Sequence, residues 1–447
     1  MSTKEEKISV TGFLKSDYKE FAYYVIESRA LPSLVDGFKP TQRKIVYVSD
    51  RSVRKTSNKV ATLAGKIISD AQYHHGNTSC ESAIVNMAQD FKNNMPLFNR
   101  IGQFGSLKSP VASASRYISV TLSDNFDLIY KDKDLLKHKV DEGMRIEPEY
   151  YLPIIPMVLV NGGSGIAVGY ASNILNRDVK DITRKCINYI EGKRMQKLKL
   201  NINDFDGDFV ADKEKANKWF IKGILKKENT STVKITELPP SMTYEKFEAH
   251  LDKLQDDRKI VGYDNNGKDG NIDYVIKFSR EDLAKYTIDK LFTLFKLADQ
   301  VTENFTVLDE TGKLKEFDNA EDILKYFVDF RLTYYDKRKK FLLDKVASDI
   351  NKLDNRAKFI KGILDEKIII NKKTKAQIIP QIAKLKIDMI DDSYDYLLSM
   401  PILSLTKEKY DDLIASIKTK KEEQKVIKKS VPKQVYLDEL AELLKKI

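Results

Sequence analysis

A chain of 447 residues, 42% hydrophobic and 32% charged, has the length for several domains and enough apolar content for packed cores, which excludes a wholly disordered polypeptide. Its net charge of +11 favours partners that carry phosphate, because every cation that neutralises a phosphate releases a counterion. Cys80 and Cys186 are too few and too far apart for a disulfide framework or a CxxC zinc site; the start MSTKEEKISV lacks the apolar stretch of a signal peptide, and no run approaches the roughly 18 apolar residues of a membrane span, so a cytoplasmic location is expected.

Proline and glycine punctuation divides the chain at about Ser172 and again near Ala320. In the first part, Pro40 suits the opening turn of a helix that runs on through Lys44. A second helical pattern covers Asn58 to Tyr73, with Val60, Leu63, Ala64, Ile67 and Ile68 on one face. The tight link His74-His75-Gly76-Asn77 follows, and Thr78 or Ser79 is expected to cap a third helix containing Ile84, Val85, Met87 and Ala88. Helix, short glycine-containing turn, helix is the grammar of a helix-turn-helix, although ordinary helical hairpins share it.

The second part mixes strands and helices. Val233 to Leu238 alternates like a strand and stops at Pro239-Pro240, and Tyr274 to Phe278 alternates similarly. In the third part, Phe327, Phe330, Tyr334, Phe341, Val346, Ile350, Leu353, Ala357, Ile360 and Leu364 recur mostly at three- and four-residue steps, the stripe of one long amphipathic helix. Tyr410, Leu413, Ile414 and Ile417 offer a second helix to pair with it, leaving about 368–401 as a small globular tip. An ordinary helical bundle would produce the same spacing.

Most familiar chemistries find no support. Asn161 to Gly169 is glycine-rich but lacks the Lys-Ser/Thr of a phosphate loop and the dinucleotide fingerprint, and reads as a structural turn beside a buried strand. Asp204, Asp206 and Asp208 alternate around Gly207 without the glutamate that completes a calcium loop, so they read as a polar turn. His74 and His75 are adjacent, a poor arrangement for zinc but a good one for donating to phosphate, and His138 and His250 have no helpful spacing. No serine sits in a nucleophile elbow, and Trp219 reads as core.

Ser113-Ala114-Ser115-Arg116-Tyr117 remains. Small flanking residues allow close approach to the backbone, and a tyrosine beside an arginine suits attack on a phosphodiester. The phenolate oxygen forms a phosphotyrosine link that conserves the bond energy, while the guanidinium stabilises the charge gathering on the phosphate oxygens. With 22 tyrosines in the chain, a core or surface role competes with this one.

Leu31-Pro32-Ser33-Leu34-Val35-Asp36-Gly37-Phe38-Lys39-Pro40-Thr41-Gln42-Arg43-Lys44 resembles the signature that opens the breakage–reunion region of type IIA DNA topoisomerases. Tyr73-His74-His75-Gly76, Ile84-Val85-Asn86-Met87-Ala88-Gln89, Ala114-Ser115-Arg116-Tyr117, Glu147 to Gly162, Ile235-Thr236-Glu237-Leu238-Pro239 and Phe330-Arg331-Leu332-Thr333-Tyr334-Tyr335 are similar to further landmarks of that family, in the same order over nearly the whole chain. Length and lysine-rich composition look most like the medium subunits of T-even-type phage topoisomerases. Two departures are visible: His74-His75 lacks the proline that bacterial members insert, and Ser115 stands where relatives more often carry Met or Pro.

The resemblance implies a mixed α/β, mostly helical fold: a winged-helix DNA-gate domain over 1–172, an α/β tower domain over 173–319, and a long antiparallel coiled coil with a globular C-gate tip over 320–447. It implies Tyr117 as nucleophile, Arg116 as stabiliser of the pentavalent phosphate, and Arg43 and His75 at the scissile phosphate. Lys39, Lys44, Lys59, His74, Thr78 and Ser79 would bind the DNA, and Ile154 or Ile155 would wedge between base pairs. It further implies a homodimer on double-stranded DNA, Mg²⁺ held by no residue of this chain, and ATP and Mg²⁺ both bound by an ATPase–Toprim partner subunit. With no gyrase-type wrapping domain recognisable, relaxation and decatenation are expected rather than supercoiling. A dimeric helix-turn-helix protein that grips DNA without cutting it is the alternative, and a coiled-coil scaffold is a third reading.

Overall fold

The computed structural model describes residues 9–268 and 270–447. It divides into two compact units, one running to Arg331 and taking in Glu439–Ile447, the other Leu332–Asp438.

In the first unit, the helices Val10–Lys15 and Asp17–Val25 bury no side chain. Burial begins at Ile26, which packs with Ala30, Leu31 and Leu308. Helix α1 (Pro40–Ser52) opens with Pro40 in its first turn, where a missing N–H costs nothing, and the Gln42 side chain accepts from the Lys39 N–H at 2.9 Å. Its inward face is Ile45, Val46, Tyr47, Val48 and Ser49. The two-residue strand β1 (Asn58–Lys59) leads directly into α2 (Val60–Asp70), which buries Val60, Leu63, Ala64 and Ile67 as its periodicity requires. After the His74-His75 link comes α3 (Asn77–Ala88), burying Cys80, Ile84, Met87 and Ala88.

The expected cap on α3 is corrected: the N-cap is Gly76 and makes no side-chain bond, so Thr78 and Ser79 lie inside the first turn and are exposed. Strands β2 (Phe98–Ile101) and β3 (Ser119–Leu122) complete an antiparallel sheet of order β1-β3-β2, with Lys59 opposite Ser119 and Arg100 opposite Val120. Three helices with a small sheet folded against them are the architecture of a winged helix.

The glycine-rich stretch is a hairpin of β4 (Gly163–Ile166) and β5 (Ala171–Ile174), not a turn beside a buried strand. Farther along, the antiparallel sheet formed by Ile224–Lys227, Thr232–Glu237, Tyr274–Lys277 and Gly262–Asn265, in that order, packs Val233, Ile235, Tyr274 and Ile276 against Phe247 and Leu251 of the helix Tyr244–Asp256. Both alternating segments expected as strands are therefore strands, each with one buried face. Trp219 is half-buried on a second sheet, where its Nε1–H donates to Glu303 Oε2 at 2.9 Å.

The 45-residue helix α4 (Ala320–Leu364) starts in the first unit and ends in the second. In the first unit Arg331 is fully buried: its Nε–H donates to the Pro153 carbonyl at 3.0 Å and its Nη2 pairs with Asp132 Oδ2 at 2.6 Å. In the second unit α4 pairs with α5 (Lys407–Lys429) through Leu353, Ala357 and Ile360 against Tyr410, Leu413 and Ile417. The pair is antiparallel, since Lys339 donates to the Lys428 and Ser430 carbonyls while Asp349 meets Lys420. Phe359 at the end of α4 packs with Ile368, Ile378, Ile382, Ile387, Tyr394 and Leu397 of the segment before α5 in a separate small core.

Candidate nucleic-acid interface and its tyrosine

Residues 103–118 form a loop tied down at several points. The Gln89 Nε2 donates to the carbonyls of Phe104 (2.7 Å) and Pro110 (3.1 Å), and Ser113 N–H donates to Gln103 O at 3.0 Å. Ala61 N–H at the start of α2 donates to Ser115 O, and Val60 N–H to Ile118 O at 3.0 Å. Ile118 is buried while Tyr117 is 64% exposed, so the backbone is anchored and the phenol stands in solvent. The Arg116 guanidinium lies 4.7 Å from the Tyr117 ring centroid, and Lys59 Nζ donates to the Tyr117 carbonyl at 2.8 Å. A phenol with a cation over its ring on a braced loop has the groups needed to take up a phosphate and stabilise its charge.

Other expected site residues divide into two groups. His74 to Ser79 is a continuous exposed run at the start of α3, whose helix dipole favours negative charge there. His75 packs edge-on against the Tyr73 ring, with centroids 5.2 Å apart, and His74 Nε2 lies 3.4 Å from Asp141 Oδ2. Tyr73 also donates a 3.4 Å hydroxyl bond to Ser79 Oγ. Lys39 lies under the β4–β5 hairpin, so close that a side chain at Gly165 would meet its Nζ and the Ala30 carbonyl. Burial holds the Lys39 ammonium below the ordinary lysine value.

The second group is buried or largely so. Arg43, expected at the phosphate, is only 5% exposed and forms a fork with Asp36, Nε to Oδ2 at 2.7 Å and Nη2 to Oδ1 at 3.1 Å. Burial works against its charge, but the Asp36 carboxylate more than offsets this and the guanidinium is held above its usual value. Asp36 also accepts from the N–H groups of Phe38 and Tyr151, both at 3.0 Å, which makes it a hub of the loop before α1. Lys44 is taken up by the Ala71 carbonyl and by Glu147 at 2.9 Å. Ile154 and Ile155 are 1% and 0% exposed, because their segment runs through the core, Ile154 N–H donating to Ile129 O. Neither can wedge into DNA from there.

Ile166, at the outer end of β4, is 87% exposed, and sequence reading passed over it. The signal was present as an isoleucine directly after Gly165 in a glycine-rich stretch with no core periodicity around it. Among the described residues no three His, Cys, Asp or Glu side chains stand together as metal ligands. Burial pushes the Cys80 thiol up to about 12, with Glu81 adding to the effect, which makes it a poor nucleophile.

This geometry is that of a winged helix with an exposed tyrosine, and known proteins share it. The family of A-type subunits of DNA gyrase/topoisomerase IV matches residues 29–444, and the chain belongs to that family. It is 33% identical over 482 residues to DNA topoisomerase 2 of Plasmodium falciparum, covering 98% of this chain and 34% of that protein. It is 34% identical over 468 residues to human DNA topoisomerase 2-alpha, covering 94% of this chain and 30% of the relative. The crystal structure of the Plasmodium falciparum topoisomerase II DNA-binding, cleavage and re-ligation domain superimposes with a TM-score of 0.87 at 32% identity, over 99% of this chain and 65% of that one. The chain thus spans about a third of the length of these curated relatives.

Proposed function

We propose that the chain is the DNA cleavage–religation part of an ATP-dependent type IIA topoisomerase, with Tyr117 as its nucleophile. The observation that carries this is the exposed phenol under the Arg116 guanidinium, on a loop braced by Lys59 and the start of α2. The Tyr117 oxygen, having lost its proton, attacks a backbone phosphorus. The bond from phosphorus to the 3′ oxygen breaks, that oxygen leaves with a proton, and the tyrosine stays esterified to the 5′ phosphate. One phosphoester replaces another, so the reverse step reseals the strand without an added energy source.

Arg116 stabilises the charge on the pentavalent phosphate, and His75, His74, Lys59, Lys39 and the first turn of α3 at Thr78 and Ser79 hold the backbone around it. Arg43 and Lys44 act at one remove, fixing the loop and the helix that present Lys39. Ile166 takes the wedging role first expected of Ile154 or Ile155, since an exposed isoleucine at a hairpin end can insert between base pairs and bend the duplex.

Two copies cut opposite strands, and a second duplex passes between them to relax or decatenate DNA. In the second unit, Ile402 and Leu403 are 80% and 88% exposed, an apolar surface suited to self-association at the tip. Mg²⁺ would neutralise charge on the phosphate oxygens, and we assign its ligands, with the ATP site, to an ATPase–Toprim partner, as in the phage and bacterial arrangement. The enzyme would work in the cytoplasm; no helix among the described residues is long and apolar enough to cross a membrane. DNA binding without cleavage gives no reason for a tyrosine to be presented in this way.

Labelled duplex, the partner and Mg²⁺ are incubated with the chain and then denatured. Wild type retains covalent label and Tyr117→Phe retains none; label retained on the variant overturns the assignment.

A further inference from the structure

The loop that carries Tyr117 is also fastened to a part of the fold outside the winged helix. Lys108, within residues 103–118, is buried. Its Nζ pairs with Glu237 Oε1 at 2.9 Å and donates to the Leu238 carbonyl, and it lies 5.4 Å from the Phe205 ring centroid. The Lys108 carbonyl accepts from the Tyr244 N–H at 3.2 Å. Glu237, also buried, closes the strand Thr232–Glu237 and is itself held in place. Its Oε2 accepts from the Asp206 N–H at 3.1 Å and its Oε1 from the Leu238 N–H at 2.8 Å. Beside the pair, Leu107 packs with Phe91, Phe205 and Ile221.

A buried ion pair stabilises a fold no more than a well-packed apolar pair of the same volume, because both charges lose their water. What it adds is direction: the ammonium is satisfied only where the Glu237 carboxylate and the Leu238 carbonyl both face it. We propose that Lys108 and Glu237 act as one positioning unit for Tyr117, holding the nucleophile loop where the phenol meets the phosphate. The position set at Lys108 passes along a loop already pinned at Gln103, Ser113, Ser115 and Ile118, which leaves it little slack before Tyr117. The inference deepens the proposed function and rests on its choice of Tyr117 as nucleophile. Misplacing a reacting atom by about 1 Å costs about 100-fold in rate, so a bond remote from the phosphate can govern the chemistry.

Three variants test this. Lys108→Met keeps the apolar stem and removes the ammonium, and Glu237→Gln removes the carboxylate charge. The double substitution removes both, so neither charge is left buried alone. Formation of the Tyr117 adduct is followed in a single turnover with the whole chain, its partner, Mg²⁺ and saturating duplex, and duplex affinity is measured alongside. Each variant is expected to form the adduct about 100-fold more slowly, the double no more slowly than either single, with final amplitude and duplex affinity unchanged. The amplitude holds because attack and resealing pass through the same geometry. A merely structural role would lower the amplitude, as fewer folded molecules, and leave the rate constant alone. That result, a rate constant unchanged in all three, or an equal loss of affinity overturns the proposal. Losses that multiply in the double variant overturn it too, since the two side chains would then act independently. No adduct from wild type overturns the cleavage reading and this inference with it, whereas variants that match an active wild type overturn the inference alone.

Discussion

At the scale of single residues, two arginines that look alike in the sequence have opposite fates. Arg116 lies on an exposed loop with its guanidinium against a phenol, whereas Arg43 is locked to Asp36 in the core. Arg116→Ala is expected to lower the cleavage rate about 100- to 1,000-fold, the usual loss for one donor to a developing oxyanion, while duplex affinity changes little. Single-turnover cleavage alongside equilibrium binding checks this, and an equal loss in both would make Arg116 a binding residue only. Arg43→Ala leaves the Asp36 carboxylate buried and unpaired, which costs about 3–5 kcal/mol of stability. Denaturant unfolding should show that loss; a stable Arg43→Ala chain that fails only in cleavage would return Arg43 to the phosphate. The sequence placed Arg43 in the right motif but not in the right environment. A salt bridge closed across the turn at Gly37, where φ is +74°, leaves no periodic trace.

At the scale of elements, periodicity served well wherever one face of an element is buried. The helices α2 and α3, the strands within 232–237 and 274–277, and the long α4 with its α5 partner follow from apolar spacing, whereas α1 is marked by Pro40 alone. It failed at the β4–β5 hairpin, whose glycines and exposed isoleucine have no core to report on. The wedge expected at Ile154 or Ile155 comes from the resemblance and not from periodicity, and both side chains are buried, since apolar residues between prolines look alike whether they fill a core or project from it. Ile166→Ala is expected to leave unfolding unchanged, because the side chain touches little, and to reduce DNA bending. Fluorescence energy transfer between the ends of a bound duplex measures the bend; an undiminished bend would remove Ile166 from the wedging role.

At the scale of the whole molecule, the family landmarks hold the first unit together as well as marking its site. Arg331 of the Phe330–Tyr335 block is buried against Pro153 and Asp132, near the Glu147–Gly162 block in the fold. The second unit carries the exposed Ile402 and Leu403, and the joint substitution Ile402→Asp and Leu403→Asp is expected to shift the chain from dimer towards monomer in sedimentation velocity. A dimer unmoved by both charges would place self-association elsewhere. The likeness to topoisomerase II relatives extends over nearly all of this chain but only a third of theirs, so the catalytic proposal rests on the tyrosine itself.

That proposal is tested most directly by mapping the residue bound to DNA. After trapping with Mg²⁺ and the partner, nuclease and trypsin digestion should release the peptide from Tyr117 to Lys131, and fragmentation should place the nucleotide mass on Tyr117 and not on Tyr130, which is buried. A nucleotide carried by Tyr130 or by any other peptide would contradict the account.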